Sequence, residues 1–292
     1  MSLNFKLAIS MLFFSAFTFP SIGKAESGLP IYWEKIVVMI EKEVQNNDGT
    51  VDTVPHGTGF LFVVDGTTGI FLVTNKHLLS GRNLVFIRFN KLDFDPKKDK
   101  VRYHREPCLL IDRDSKPLWK GHPNPNVDVA AIKINQPTAK VDVRQLDYSR
   151  LKSFDSLEVG EDVYFFGYPL GILGLKGKGD FPILRSGVVS YKSFELTLIG
   201  ESIIDSAMFL IDGFSFGGNS GSPVLTRVGN TKAMLVGIIK GHVPDFQTKI
   251  LKGEHPDTIT FEQNAGLAIV ISADRIKETL EQFKIKEVPE KK

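Results

Sequence analysis

The sequence predicts an all-β protein that ends in a single α-helix, and three observations carry that expectation. Short runs rich in β-branched and aromatic residues recur along the chain, turn residues such as Asp65-Gly66 separate them, and one amphipathic stretch closes it. The 292 residues suffice for two small β domains or one large one. The hydrophobic share of 42% is that of an ordinary globular chain able to bury a core.

Taken in order, the chain opens with Lys6, an apolar run from Leu7 to Phe19, Pro20 and the small-residue pattern Gly23-Lys24-Ala25. This reads as a secretory signal peptide over 1–25, cleaved after Ala25, which implies an exported protein, periplasmic or secreted, without stable membrane insertion. A first β domain over 26–140 contains the strand-like runs Lys35–Ile40, Thr58–Val64, Phe71–Thr74 and Leu84–Phe89. The more polar stretch 141–156 reads as a connector, and a second strand series occupies 157–271. The helix is expected over 272–285, with Ile276, Leu280 and Phe283 on one stripe, Ser272 as N-cap and Asp274 in the first turn. Its apolar stripe is expected to pack on the second half, ahead of a tail over 286–292.

Composition removes several classes of function. The net charge of +2 is spread without a long basic block, so nothing calls for a nucleic-acid partner. The single cysteine, Cys108, excludes an intramolecular disulfide, and its apolar neighbours make it a buried strand residue. The stretch Gly174-Leu175-Lys176-Gly177-Lys178-Gly179 is no phosphate loop. Ile172 stands where that motif requires glycine, and no Ser or Thr follows Lys178.

The chemistry concentrates in Gly217-Gly218-Asn219-Ser220-Gly221-Ser222-Pro223. Serine is a poor nucleophile at its own pKa, so it needs a base for its proton and N–H donors for the oxyanion that follows attack. Glycines let a carbonyl approach the main chain, where the N–H groups of Gly218 and Ser220 can converge on it. The candidate base is His77, delivered by the apolar run from Gly69 at its polar end. Asp128, at the start of the buried-looking run Val129–Ile134, is the candidate to orient it. Asp112 and Asp114 are rivals, set in a charged segment that reads as a solvated turn. His56, His104, His122, His242 and His255 lie in polar or proline-containing contexts and read as surface or loop residues.

The order His, Asp, Ser is that of the chymotrypsin-type triad. The wording around each residue, in Thr74-Asn75-Lys76-His77, Asp128-Val129-Ala130 and the glycine-serine motif, resembles the bacterial trypsin-like serine peptidases, in particular the glutamyl endopeptidase and HtrA-type branches. Val163–Pro169, Arg185–Ser190 and Ala265–Val270 extend the similarity over most of the mature chain. The resemblance implies two Greek-key antiparallel β-barrels with a cleft between them, the first holding His77 and Asp128, the second Ser220. It implies a serine endopeptidase that hydrolyses polypeptides through an acyl-enzyme, with no metal or organic cofactor. The chain ends soon after the helix, so the appended PDZ domain usual in HtrA-type proteins is not expected.

Two departures from the family pattern shape the reading. Asn219 stands before the nucleophile where trypsin-like zymogens carry an aspartate that pairs with a new amino terminus, so no activating clip is expected. Ile239 stands where glutamyl endopeptidases carry a histidine, and His242 is displaced along the strand. The expected substrate pocket is lined by Phe214, Ser215, Ile239, Lys240, Gly241, His242 and Val243, an inventory that favours small or apolar residues before the scissile bond. Asp212 lies eight positions before Ser220, whereas trypsin-like selection of Lys or Arg uses the position six before, which is Phe214. Two rival functions remain open on sequence alone: a non-catalytic binding or chaperone module on a peptidase fold, and a hydrolase of small esters.

Overall fold

The computed structural model describes residues 31–95, 97–99, 101–169, 181–193, 207–228, 232–251 and 257–284. The expected signal peptide, the Gly174–Gly179 loop and the tail lie outside the described residues.

A 3-10 helix at Ile31–Ile36 leads into β1 (Val37–Gln45), β2 (Val51–Phe62), β3 (Ile70–Thr74), a single helical turn α1 (Lys76–Leu79), β4 (Leu84–Asn90), β5 (Tyr103–Leu109), β6 (Trp119–Gly121) and β7 (Ala130–Ile134). These strands form one antiparallel sheet in the order β5-β4-β1-β2-β3-β7-β6. The second half contains β8 (Asp162–Gly167), β9 (Ile183–Ser193), β10 (Met208–Asp212), β11 (Pro223–Val228), β12 (Lys232–Leu251) and β13 (Asp257–Ser272), followed by helix α2 (Ala273–Glu281). It closes as a barrel in the order β10-β13-β12-β11-β8-β9.

The unbroken apolar runs of the first half have a plain cause. Alternate residues of a strand face opposite sides of its sheet, and both sides are covered here. Val38, Ile40, Leu61, Leu72 and Ile132 face the interior of the first sheet with Cys108 and Phe89. Val37, Met39, Phe60, Phe62, Phe71 and Val73 face the other way. There they join Phe166, Leu225, Ile238 and Ile271 of the second half in a core between the two. A third cluster, including Phe165, Phe209, Val236 and Ile239, fills the closed barrel.

The closed six-stranded barrel of the second half and the seven-stranded half-barrel sheet of the first are the expected chymotrypsin-like arrangement, and other expectations are corrected. The first half is a sheet of strands β5-β4-β1-β2-β3-β7-β6. Its edge strands meet at the hairpin after β5, where Leu118 N–H donates to Leu110 C=O at 2.9 Å and Ile111 bridges Pro117. Helix α2 spans both halves instead of lying on the second alone. Ile276 and Leu280 enter the core between the halves, and Phe283 packs on Phe71 with ring centroids 4.8 Å apart. Ser272 occupies the N-cap position, yet its side chain makes no capping hydrogen bond.

His122 is no surface residue. It is 8% exposed, accepts from Asn124 N–H at Nδ1 over 3.0 Å and meets Glu278 of α2 through Nε2 at 2.5 Å. Cys108 is buried on β5 as expected, and burial pushes its thiol up to about 11. The stretch 141–156 ties both halves together. Leu146 N–H donates to Leu61 C=O and Lys152 N–H to Leu235 C=O, each at 2.9 Å.

Candidate active site

His77 stands just past the end of β3. It lies in the turn of α1, which Leu78 and Leu79 pin by burial, rather than at the end of the strand itself. The β3–β7 register pairs Thr74 with Ala130, which sets the residues after β3 beside those before β7. Asp128 is held there between the fully buried Val127 and Val129. Its two carboxylate oxygens both go to His77. Oδ1 accepts from the backbone N–H at 2.9 Å and Oδ2 from Nδ1 at 2.6 Å. A carboxylate only accepts, so Nδ1 carries the proton and Nε2 is left as an acceptor. The buried Asn75 amide donates to Asp128 C=O at 2.8 Å and fixes the backbone of the acid from the other side.

Ser220 sits in a turn built by its glycines. Asn219 N–H donates to Phe216 C=O at 2.9 Å, and Gly218 has φ 95°, a type II turn with glycine where positive φ is required. Gly221, at φ 88°, has no room for a side chain. An added Cβ would lie 1.8 Å from Thr58 C=O. Neither Gly218 N–H nor Ser220 N–H donates to any described residue, while the Gly218 carbonyl is turned away to accept from Thr58 Oγ1 at 2.7 Å. Thr58 N–H also donates to Ser220 C=O at 2.9 Å, and Thr58 Oγ1 accepts from Tyr168 N–H at 3.0 Å. A residue of β2 thus clips the turn of the second half. The Ser220 hydroxyl donates to Lys240 C=O at 3.2 Å.

The expected pocket residues divide into two groups. Phe214 is 51% exposed and stacks on Phe216 at 6.1 Å. Ser215 is buried, with its carbonyl accepting from Asn264 Nδ2 at 2.5 Å. Lys240, Gly241, His242 and Val243 follow one another on β12, half-buried, with His242 3.5 Å from Glu262. Ile239 is fully buried in the interior cluster of the barrel. Asp212 is exposed at the end of β10. The rival acid Asp112 caps the turn after β5, accepting from the N–H groups of Asp114 and Lys116.

Trypsin-like peptidase domains match residues 57–238 of the chain, the stretch that contains all three candidate residues. The chain belongs to the trypsin-like peptidase family. Its architecture is similar to the MamO protease domain from Magnetospirillum magneticum in the apo form, with 17% identity, 85% of this chain and 96% of that one covered, and a TM-score of 0.51. The HtrA-type protease AlgW, solved with a decapeptide, shares 15% identity over 86% of this chain at a TM-score of 0.49. This chain spans 65% of the length of that one. No curated protein matches the sequence.

Two residues near the candidate site were not singled out by the sequence. Thr58 carried one available signal, since it lies between Gly57 and Gly59 inside a strand, a pattern that marks close backbone approach. An added Cβ at Gly57 would meet the Leu78 side chain at 2.5 Å. His56, read as a surface residue, is half-buried and hydrogen-bonded to the Leu78 backbone. Burial first, then the charges of Arg82, Lys42 and His77, push its pKa down to about 4.

Proposed function

We propose that the chain is an exported serine endopeptidase in which Ser220 is the nucleophile, His77 the base and Asp128 the group that orients it. The observation that carries this reading is the double engagement of Asp128 with the His77 ring and backbone, which leaves Nε2 as an acceptor. Ser220 Oγ attacks the scissile carbonyl carbon as its proton passes to His77 Nε2. The oxyanion is received by the N–H groups of Gly218 and Ser220. His77 then returns the proton to the departing amine as the C–N bond breaks, leaving an ester on Ser220. Water, activated by the same imidazole, hydrolyses that ester and restores the serine.

In the resting arrangement the Ser220 hydroxyl is engaged by Lys240 C=O. The first step therefore includes a rotation about its Cα–Cβ bond toward the imidazole. A substrate that takes the Lys240 carbonyl as its own acceptor releases the hydroxyl. The residues expected to line the pocket, Phe214, Ser215, Gly241 and Val243 among them, are mostly uncharged, which favours Val, Ala or Leu before the scissile bond. Export through the leader over 1–25 delivers a mature chain beginning near Glu26. The neutral Asn219 gives a new amino terminus no carboxylate to pair with, so no further clip is needed.

The test uses the mature chain with a fluorophosphonate probe and a peptide library profiled by mass spectrometry. The expected result is labelling at Ser220 and cleavage after small or apolar residues. Ser220→Ala is expected to abolish labelling and to lower turnover by about 10⁴-fold with the fold intact. Turnover of the wild-type order in that variant overturns the assignment.

A further inference from the structure

Asp128 belongs to the loop of a hairpin. Strands β6 and β7 pair up to Gly121↔Ala130, and residues 122–129 connect them, closed by His122 N–H on Val129 C=O at 2.9 Å. His122 is the hub of that loop. Its Nδ1 accepts from Asn124 N–H at 3.0 Å. Asn124 in turn accepts from Asn126 N–H through Oδ1 at 3.0 Å and from Val127 N–H through its carbonyl at 3.1 Å. The residues on either side of Asp128 are thus both tied to His122, Val129 directly and Val127 through Asn124. Lys76, next to His77, donates to the Pro125 carbonyl within the same loop.

Helix α2 holds His122. An imidazole that accepts at Nδ1 carries its proton on Nε2, and here that proton goes to Glu278 Oε2 at 2.5 Å. Glu278 is itself fixed by Arg275, one turn back on the helix, which reaches its two carboxylate oxygens at 2.9 and 2.8 Å. One turn further on, Gln282 Nε2 donates to Gly121 C=O at 2.8 Å, and Lys120 Nζ donates to Gln282 C=O at 2.6 Å. The other end of α2 continues from β13, whose Val270 and Ser272 pair with Ile239 and Gly237 of β12. Ile239 exchanges hydrogen bonds with the Ser220 turn through Gly221 N–H and Ser222 C=O. One helix therefore starts on the strands that hold the serine turn and ends on the loop that carries Asp128. The His122 side chain is only 4% exposed, and an apolar side chain would fill its place at a lower desolvation cost. What the imidazole adds is direction, as two bonds aimed at fixed partners.

We propose that His122 and Glu278 are positioning residues for Asp128, Glu278 holding His122 and His122 holding the backbone on both sides of the acid so that its carboxylate meets His77. This rests on Asp128 and His77 acting as orienter and base. Both residues act through Asp128, and a misplacement of about 1 Å in such a constellation costs up to about 10²-fold in rate. The expected pocket residues lie on β12 and in the segment before Ser220, away from this loop. The loss therefore falls on kcat rather than on KM.

The test includes a readout that needs no turnover. A ring N–H shared with a carboxylate at 2.6 Å gives a far-downfield proton resonance, and that of His77 Nδ1–H is identified by its loss in Asp128→Asn. The Glu278 side chain is 42% exposed, so Glu278→Ala leaves no buried gap. Glu278→Ala and His122→Leu are each expected to shift or broaden the His77 resonance and to lower kcat at least about tenfold, with KM within about twofold of the wild type. Glu278→Gln keeps an oxygen that accepts from His122 Nε2, and it is expected to restore the resonance and most of the rate. Thermal melts of the same variants separate positioning from folding. A lower Tm with kcat and the His77 resonance unchanged overturns the proposal, as does a loss carried by KM or a Glu278→Gln variant as impaired as Glu278→Ala. Failure of the triad reading shows separately, as absent probe labelling of Ser220 in the wild-type chain or a kcat untouched by Asp128→Asn.

Discussion

Thr58 of β2 donates its hydroxyl hydrogen to the carbonyl of Gly218 at 2.7 Å, across a separation of 160 residues. The same residue's backbone N–H donates to Ser220 C=O at 2.9 Å, so one residue of the first half holds the serine turn of the second at two carbonyls.

Replacing this clip is expected to cost both stability and rate. Thr58→Val leaves Gly218 C=O and Tyr168 N–H without their buried partner, at about 1–3 kcal/mol each. The melting temperature should fall by several degrees and peptide turnover by about tenfold or more, while Thr58→Ser restores both. A valine variant with unchanged turnover would show that the Gly218 carbonyl needs no anchor.

Asp128→Asn keeps the size of the side chain and loses its capacity to accept at both atoms. The expected outcome is a fall in kcat of about 10⁴-fold, because the imidazole then presents the wrong nitrogen to Ser220. Circular dichroism should remain that of the wild type. A loss of less than tenfold would remove Asp128 from the catalytic set.

Gly221→Ala sets a methyl group 1.8 Å from Thr58 C=O and 2.5 Å from Thr74 Oγ1, at a φ of 88°. No flexible side chain can yield the space beside the Thr58 backbone, so the turn must open. Urea denaturation is expected to register a loss upward of about 3 kcal/mol, together with loss of probe labelling. Wild-type stability in this variant would contradict the close approach of the two halves.

His56 makes stability depend on pH in a window set by its shift. In the folded chain its pKa is pushed down to about 4 from 6.5, first by burial and then by neighbouring positive charge. Between those values the unfolded chain holds a proton there that the folded chain refuses. Unfolding then takes up protons, and stability falls as pH drops from 6.5 toward 4. His56→Gln is expected to flatten this part of the profile in denaturant titrations at about pH 7 and about pH 5. Identical slopes for the two proteins would mean that His56 protonates alike in both states.

Some features reached the structure unchanged because they depend on neighbours in sequence. Alternation in Leu84–Asn90 marks Val85, Ile87 and Phe89 as inward-facing, and all three are buried. The apolar setting of Cys108 predicts its burial, and the charged segment Asp112–Lys116 reads as a turn and is one, closed by Lys116 N–H on Asp112. His122 misled for the complementary reason. Its sequence neighbours are polar, and what buries it is Glu278 on a helix 156 residues away. The helix itself was legible from the spacing of Ile276, Leu280 and Phe283, but its docking on the first half was not. An apolar stripe reports that a helix is covered and leaves open by what.

By itself the sequence determined the strand-rich class, the three candidate catalytic residues and the glycines that let a serine turn form. These follow from periodicity, residue chemistry and wording within short windows. Tertiary structure alone decided that α2 bridges both halves, that Thr58 clips Gly218, and that β12 and β13 run on together beyond the barrel. Each of those is a matter of register or of packing between distant segments. Strand pairing selects among registers through contacts summed over the whole sheet, and no local pattern of residues contains that sum.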